Sequence, residues 1–186
     1  MKDILKLHHN LPQENSEKLN WYTGLYLCLP RVFMGIVRNK LINQDVVESV
    51  LIPMHTVKDP YTHKPINIHV TDRYFFIGTN SEISSEEDIG IQSHVNTITL
   101  LRNRENSYKP TKIAINEIRH VIHTNLSKRK NTIQEDITIY VIGGTFQDWY
   151  GTVVQKLDSD TVKVRFTIEE YEYSTLMPTA LCKIAS

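Results

Sequence analysis

The feature that most constrains the fold is the carboxyl-terminal part of the chain, where only strand patterns occur. From residue 137 onward, short runs rich in β-branched residues alternate with turn residues. Strands are predicted at Ile137 to Ile142, Gly151 to Leu157, Thr161 to Ile168, Glu172 to Met177, and Leu181 to Ile184. Five short strands so close together along the chain predict a small closed barrel.

A loop with a glycine pair connects the first two of these strands. It runs from Gly143 to Gly151 and contains an aromatic residue, Phe146, followed by a short polar hook. Glycine at both ends suits backbone positions that a Cβ atom would crowd, such as left-handed turns or bulges. The loop therefore predicts a tight connection between strands, with an aromatic side chain at its centre.

The residues before this region mix strand and helix patterns. Strands are predicted at Trp21 to Cys28, Val46 to Met54, Ile66 to Gly78 and Thr97 to Leu101, and helices around residues 32–41, from Ser84 to Asn96 and from Glu117 to Leu126. The order strand, helix, strand, strand, helix, strand, helix predicts an α+β fold, with a ferredoxin-like α/β sandwich and one added helix. The domains predicted are a polar leader at 1–20, an amino-terminal domain at 21–126, a basic linker at 127–136 and the barrel at 137–186.

Composition narrows the classes of function. The 21 Lys and Arg residues balance the 21 Asp and Glu residues, which argues against a protein whose main task is to coat nucleic acid. Cys28 and Cys182 lie far apart and form no Cys-x-x-Cys pair, which favours a reducing cytoplasm. The sequence shows neither a signal peptide nor a membrane span, so no membrane partner is expected.

Motifs for catalysis and metal binding are missing from the sequence. There is no nucleophile elbow, P-loop or dinucleotide fingerprint, so neither enzymatic activity nor a cofactor is expected. His120 and His123 have a spacing that can share a metal on a helix, but no Cys or carboxylate completes the set. We therefore expect no metal site.

From Trp21 to its end, the chain resembles the NusG family of transcription elongation factors. In the carboxyl-terminal part, the resemblance rests on the loop residues Gly144, Phe146, Asp148, Trp149 and Gly151. In the amino-terminal part, it rests on the aromatic pair Trp21 and Tyr22, the strand Val50 to Pro53 and the strand Val70 to Ile77. The resemblance implies a NusG-type polymerase-binding domain followed by a five-stranded KOW β-barrel.

The resemblance also implies a function. A protein of this family binds the clamp helices of RNA polymerase through an apolar patch, suppresses pausing or termination, and recruits a partner through its KOW domain. The polymerase-binding residues implied here are Trp21, Tyr22, Tyr26, Tyr74 and Phe76. The alternative for each of these side chains is a place in the hydrophobic core.

Two further contacts are predicted. Basic residues either lie on a solvated surface or contact upstream DNA, nascent RNA or an acidic polymerase surface. The candidates are Arg31, Arg38, Arg102 and Arg104. The KOW partner, NusE or Rho in the family, would contact Phe146, Asp148, Trp149, Glu169 and Glu170.

The sequence departs from the family pattern in three places. Asp72 and Arg73 replace Pro-Gly, Glu169 and Glu170 replace an aromatic residue and a glycine, and the leader exceeds the typical start. These changes suggest a specialised or phage-encoded version, acting in a bacterial or host cytoplasm, and they leave the KOW partner open. Two alternative functions also stay open: a KOW-type RNA-binding or ribosome-associated module, and an inhibitor that competes for the host factor's polymerase site.

Overall fold

The computed structural model describes residues 16–26, 40–71, 73–94, 98–102 and 109–185. The strands are β1 (Asn20–Tyr26), β2 (Ser49–Leu51), β3 (Met54–Lys58), β4 (Pro65–His69), β5 (Tyr74–Thr79), β6 (Ile98–Leu100), β7 (Lys112–Ile113), β8 (Thr138–Val141), β9 (Tyr150–Lys156), β10 (Thr161–Ile168), β11 (Tyr171–Pro178) and β12 (Cys182–Ile184). The helices described in full are α1 (Ser85–His94) and α2 (Ile115–Thr132). The predicted α+β class is confirmed. Most of the predicted leader and of the first predicted helix lies outside the described residues.

Contacts along the chain divide it into two compact units. The first unit comprises Met1–Pro53 and Thr71–Val121, and the second comprises Met54–Val70 and Ile122–Ser186. Residues 54–70 carry the β3–β4 hairpin, which therefore belongs with the carboxyl-terminal strands. The hairpin falls within the range 21–126 predicted for the amino-terminal domain, and the predicted domain bounds stay a prediction.

The sheet of the first unit has the strand order β2-β5-β1-β6, and β7 also pairs with β1. Every one of these pairs is antiparallel. Alternation along β1 and β5 places Tyr22, Tyr26 and Phe75 on one face, where they join the hydrophobic core of this unit. Gly24 lies opposite Phe75, and a Cβ atom at Gly24 would sit 2.1 Å from Cζ of that ring. The glycine thus makes room for the aromatic side chain.

Helix α1 begins with a reciprocal cap. The N–H of Glu87 donates to the hydroxyl of Ser84 at 3.2 Å, and the carboxylate of Glu87 accepts from the N–H of Ser84 at 2.7 Å. The hydrogen bonds that the carboxylate accepts from Ser84, the one from the backbone N–H above all, lower the pKa of Glu87. The predicted start of this helix at Ser84 therefore agrees with the structure to within one residue.

Helix α2 is longer than the sequence analysis expected. It begins at Ile115, so Asn116 lies inside the helix, where its side-chain oxygen accepts from Arg119 at 2.8 Å. It ends at Thr132, within the segment predicted as the linker 127–136. No Gly or Pro occurs between residues 115 and 132 to stop the helix, and Lys and Arg are good helix formers.

One predicted strand, Ile66 to Gly78, is two strands in the structure. It divides into β4 and β5, because the chain turns between them. In this turn, the N–H of Tyr74 donates to the carbonyl of Thr71 at 3.1 Å, and the hydroxyl of Thr71 donates to the carbonyl of Tyr74 at 2.6 Å. β4 pairs with β3, whereas β5 joins the sheet of the first unit.

The five carboxyl-terminal strands form one sheet in the order β11-β10-β9-β8-β12. β10 spans Thr161–Ile168 as predicted, and its inward-facing residues Val162, Val164 and Phe166 are buried in the core of the second unit. Ile68 of β4 belongs to the same core, with Val57 and Ile66 packed against it. The β3–β4 hairpin and the carboxyl-terminal sheet therefore share one hydrophobic core.

Candidate interaction site at the aromatic rim

Four aromatic rings gather beside the loop Gly143 to Gly151. Phe146 stacks on Phe166 with ring centroids 5.1 Å apart, and on Tyr173 with centroids 5.8 Å apart. Trp149 meets Phe146 and Phe166 edge-on, at 5.5 and 5.6 Å. Offset-stacked and edge-on contacts of this kind are the geometries that aromatic pairs prefer. We call Phe146, Trp149, Phe166 and Tyr173 the aromatic cluster.

Part of this cluster is open to solvent. Phe146 is 7% exposed and Phe166 is buried, so these two rings form a floor. Trp149 is 38% exposed, and Tyr171, at the start of β11, is 77% exposed. Tyr173 and Ile168 are also large apolar side chains that remain exposed, and with Trp149 and Tyr171 they form what we call the aromatic rim. Exposed aromatic residues above a packed floor are typical of contact surfaces.

The turn between β10 and β11 places two carboxylates beside this rim. Ile168 pairs with Tyr171, so Glu169 and Glu170 are the two residues of the turn, and both are exposed. Glu169 adopts φ of 55°, a left-handed conformation that glycine tolerates better than glutamate does. Of the five residues predicted as partner contacts, Phe146 and Trp149 contact each other in the aromatic cluster, and Glu169 and Glu170 follow Ile168 of the rim along the chain. Their role in partner contact stays a prediction.

Asp148 belongs to the same loop but faces a different neighbour. The hydroxyl of Tyr140 donates to its carboxylate, and the side-chain amide of Gln147 donates to it at 3.1 Å. Asp148 has φ of 69°, and its own N–H donates to the carbonyl of Val141 at 2.9 Å. These contacts hold the loop in place, so Asp148 has a structural role beside its predicted role in partner contact.

The residues that β10 and β11 contribute to the aromatic cluster and the aromatic rim were not among the predicted partner contacts. Phe166 pairs with Tyr173, and Ile168 pairs with Tyr171, so all four side chains point to one face of the hairpin. The sequence could have indicated this shared face, because side chains alternate along both strands from the two-residue turn. It could not have indicated that the loop carrying Phe146 lies against these four side chains.

The loop is supported by the tip of the β3–β4 hairpin. Asp59, only 2% exposed, accepts hydrogen bonds from the N–H and hydroxyl groups of Thr145, at 2.6 Å and at 2.9 and 3.0 Å. It also accepts from the N–H groups of Tyr61 at 3.0 Å and Thr62 at 2.7 Å. Burial raises the pKa of Asp59, but the hydrogen bonds from Thr62, Thr145 and Tyr61 together lower it more, to well below the usual range.

Glycine is required at two points of this loop. Gly144 has φ of +81°, and a Cβ atom there would lie 2.5 Å from Oδ2 of Asp59. At Gly151, a Cβ atom would lie 2.6 Å from Cγ1 of Val164 and 2.8 Å from Cε1 of Phe166. The prediction of crowded or left-handed backbone at these glycines is confirmed: Gly144 is both left-handed and crowded, and Gly151 is crowded.

The five candidate polymerase-binding aromatics are divided between the two faces of the first unit's sheet. Tyr22 and Tyr26 lie in the core, where burial raises the pKa of Tyr26 and the Tyr22 hydroxyl accepts from the N–H of Ile83 at 3.1 Å. Register places Trp21, Tyr74 and Phe76 together on the opposite face. On that face, Trp21 and Phe76 are buried, whereas Tyr74 is 42% exposed. The contact of these residues with a polymerase stays a prediction.

Of the four candidate nucleic-acid contacts, only Arg102 lies within the described residues. Its guanidinium forms an ion pair with Asp88 of α1, whose side chain is fully buried. The amide of Gln92 also donates to Asp88, at 2.6 Å. This pairing gives Arg102 a structural role. Arg31, Arg38 and Arg104 lie outside the described residues.

The described residues contain no group of three His, Cys, Asp or Glu side chains that could hold a metal ion. Among them, no helix is long and apolar enough to cross a membrane.

No protein-family model matches the chain, and no curated protein matches it. Among solved structures, the chain is similar to that of Thermotoga maritima NusG, at 14% identity and a TM-score of 0.42. The similarity extends over 92% of this chain and 99% of that one. It is also similar to the MjSpt4:Spt5 complex in conformation B, at 13% identity and a TM-score of 0.34, over 89% of this chain and 97% of that one. Conformation A of the same complex is similar at 10% identity and a TM-score of 0.30, over 89% of this chain and 98% of that one. Similarity at this level leaves the function to be argued from the residues of this chain.

Proposed function

We propose that this protein is a transcription elongation factor of the NusG type, without enzymatic activity, that acts in the cytoplasm. It binds RNA polymerase through its first unit and recruits a second protein through its carboxyl-terminal sheet, which corresponds to the KOW barrel of the family. The strand order β2-β5-β1-β6, with antiparallel pairs throughout, supports the ferredoxin-like reading of the first unit.

The observation that carries this proposal is the aromatic rim. The loop that resembles the family's KOW loop lies against the β10–β11 hairpin, so that Trp149, Tyr171 and Tyr173 are exposed above Phe146. Binding energy at protein interfaces concentrates in aromatic anchors of this kind, set in a packed surround. A rim at the position implied for partner contact supports a recruiting role for this sheet.

Charge beside the rim restricts the partner. Glu169 and Glu170 occupy the turn that joins Ile168 to Tyr171 of the rim. Carboxylates at the edge of an interface favour partners that carry Lys or Arg at the matching positions. NusE and Rho remain candidates, and the acidic turn is consistent with a specialised or phage-encoded member of the family.

Polymerase binding is assigned to the face of the first unit's sheet that carries Trp21, Tyr74 and Phe76. An apolar face that accepts a pair of helices needs aromatic anchors. Tyr74 is exposed, but Trp21 and Phe76 are buried, so full use of this face requires them to become accessible. By holding the clamp closed, the protein would lower the population of paused states that need an open clamp.

The test is a binding and transcription assay with purified core RNA polymerase. Wild type should bind the polymerase and reduce pausing or termination, and Tyr74→Ala should weaken binding. Tyr61→Ala is the matched control, because Tyr61 is an exposed tyrosine that belongs to the second unit. Absence of binding by wild type would refute the proposal.

The same experiment separates the alternatives. Competition with the host factor without any effect on pausing would identify an inhibitor. RNA binding that weakens steeply with salt, in the absence of polymerase binding, would identify an RNA-binding or ribosome-associated module.

Trp149→Ala should leave polymerase binding intact and abolish recruitment of the second protein.

A further inference from the structure

Thr145 lies at the point where the hairpin tip meets the loop that builds the aromatic rim. It directly precedes Phe146, and its N–H points to Oδ2 of Asp59 at 2.6 Å, across 86 residues of sequence. The Thr145 hydroxyl donates to the same carboxylate. The contact therefore joins two segments of the second unit that are distant along the chain.

The two oxygens of Asp59 accept different backbone N–H groups, which gives the side chain two tasks, and the Thr145 hydroxyl lies within hydrogen-bond distance of both oxygens. Oδ1 accepts from the N–H groups of Tyr61 and Thr62 and so closes the turn of the hairpin itself. Oδ2 accepts the N–H of Thr145, which belongs to the loop. An ordinary turn aspartate needs only the first set of bonds, so the second set is an additional function of this side chain.

The backbone around Thr145 is shaped to receive the carboxylate. Gly144 has φ of +81° and no room for a Cβ atom, because Oδ2 of Asp59 and Cδ1 of Ile66 occupy that space. The carbonyl of Gly144 accepts from the N–H of Gln147 at 3.0 Å, and the carbonyl of Phe146 accepts from the N–H of Trp149 at 3.1 Å. The conformation at Gly144 and Thr145 thus leads through consecutive turns to Phe146 and Trp149.

We propose that Asp59 is a positioning residue for the aromatic rim: carried on the β3–β4 hairpin, it fixes the Thr145 backbone and thereby the placement of Phe146 and Trp149. This inference rests on the proposed function for the meaning of the rim, but not for the contact itself. It implies that a molecule gripping the hairpin tip and a partner bound at the rim affect each other's affinity, because both depend on the same docked hairpin.

Asp59→Asn separates the two tasks of the side chain. Asparagine keeps one carbonyl oxygen, which still closes the hairpin turn, and turns favour it as they favour aspartate. Its amide group cannot accept the N–H of Thr145. Asp158→Asn is the matched control, since Asp158 accepts the N–H of Asp160 at 2.7 Å within a local turn of the same sheet.

The experiment measures amide hydrogen exchange at Thr145 by NMR in the full chain, together with the fluorine NMR signal of fluorotryptophan at position 149. In Asp59→Asn, exchange at Thr145 should be faster by about 10- to 100-fold, as expected for loss of a hydrogen bond to a charged group. The Trp149 signal should shift or broaden. Amides of β10 should keep their wild-type rates, which a general loss of stability would not allow.

Thr145→Val gives an independent measurement, because it removes only the hydroxyl and should produce a smaller change of the same kind. The proposal is overturned if Asp59→Asn leaves either the exchange at Thr145 or the Trp149 signal as it is in Asp158→Asn. It is also overturned if the β10 amides accelerate as much as Thr145 does. Neither measurement uses polymerase, so failure of the proposed function in the polymerase assay remains a separate result.

Discussion

Replacing Arg102 by methionine tests whether this residue serves the fold. The substitution keeps an unbranched side chain but leaves the buried carboxylate of Asp88 without its cation. Removing one partner of a buried ion pair costs about 3–5 kcal/mol. Because the Arg102 side chain is 37% exposed and Gln92 still donates to Asp88, we expect the lower part of that range, about 3 kcal/mol.

The assay is urea unfolding followed by tryptophan fluorescence. The chain has two tryptophans, Trp21 in the first unit and Trp149 in the second, so a Trp149→Phe background reports on the unit that contains Arg102. Lys112→Met is the matched control, because it breaks an ion pair of 2.5 Å with Glu82 in which both side chains are well exposed. The control should leave the free energy of unfolding close to that of the wild type, because ion pairs between exposed side chains contribute little to stability.

A second variant checks the physical cause. Adding Asp88→Asn to Arg102→Met removes the buried charge and should restore part of the lost stability. The reasoning is refuted if Arg102→Met unfolds at the same urea concentration as Lys112→Met. In that case the guanidinium would be dispensable to the fold, and loss of DNA or RNA affinity in Arg102→Met would support the predicted nucleic-acid contact instead.

Three further predictions follow from the backbone and from Asp59. Gly24→Ala should destabilise the first unit by about 3 kcal/mol in the same unfolding assay, because the new Cβ atom would overlap the ring of Phe75, and an unchanged midpoint would contradict this. Glu169→Gly should raise the free energy of unfolding by about 1 kcal/mol, since it relieves a left-handed backbone at φ of 55°; no gain in thermal unfolding temperature would count against it. The pKa of Asp59 is lowered by folding, so its contribution is complete above the unfolded pKa of about 3.9 and is lost as pH falls below it. Wild type should therefore exceed Asp59→Asn in stability near neutral pH and converge with it in acid, and a difference that does not depend on pH would exclude this account.

Local patterns in the sequence were sufficient where neighbouring residues decide the structure. The strand Thr161–Ile168 was predicted with its observed bounds, because alternation with period two needs no information from elsewhere in the chain. The start of α1 was recognisable for the same reason, since Ser84 and Glu87 cap each other across three residues. The glycines of the loop also indicated the special backbone found there, which is left-handed and crowded at Gly144 and crowded at Gly151.

The aromatic residues show where such patterns stop. Alternation separates Tyr22 and Phe75 from Trp21 and Phe76, but it does not say which set faces the core. The structure places Tyr22 and Phe75 in the core of the first unit and leaves Tyr74, of the five candidates, exposed. Which face is covered depends on elements elsewhere in the chain, which single-strand patterns do not contain.

The loop Gly143 to Gly151 combines both kinds of information. Its sequence alone determined a tight turn with an aromatic residue at the centre of a run of strands. Only the tertiary structure decided that Phe146 would lie on Phe166 and Tyr173, and that Asp59 would hold Thr145 from 86 residues away. The physical reason is that turns and alternation follow from steric limits on adjacent residues, whereas stacking and a buried carboxylate require partners that folding alone brings together.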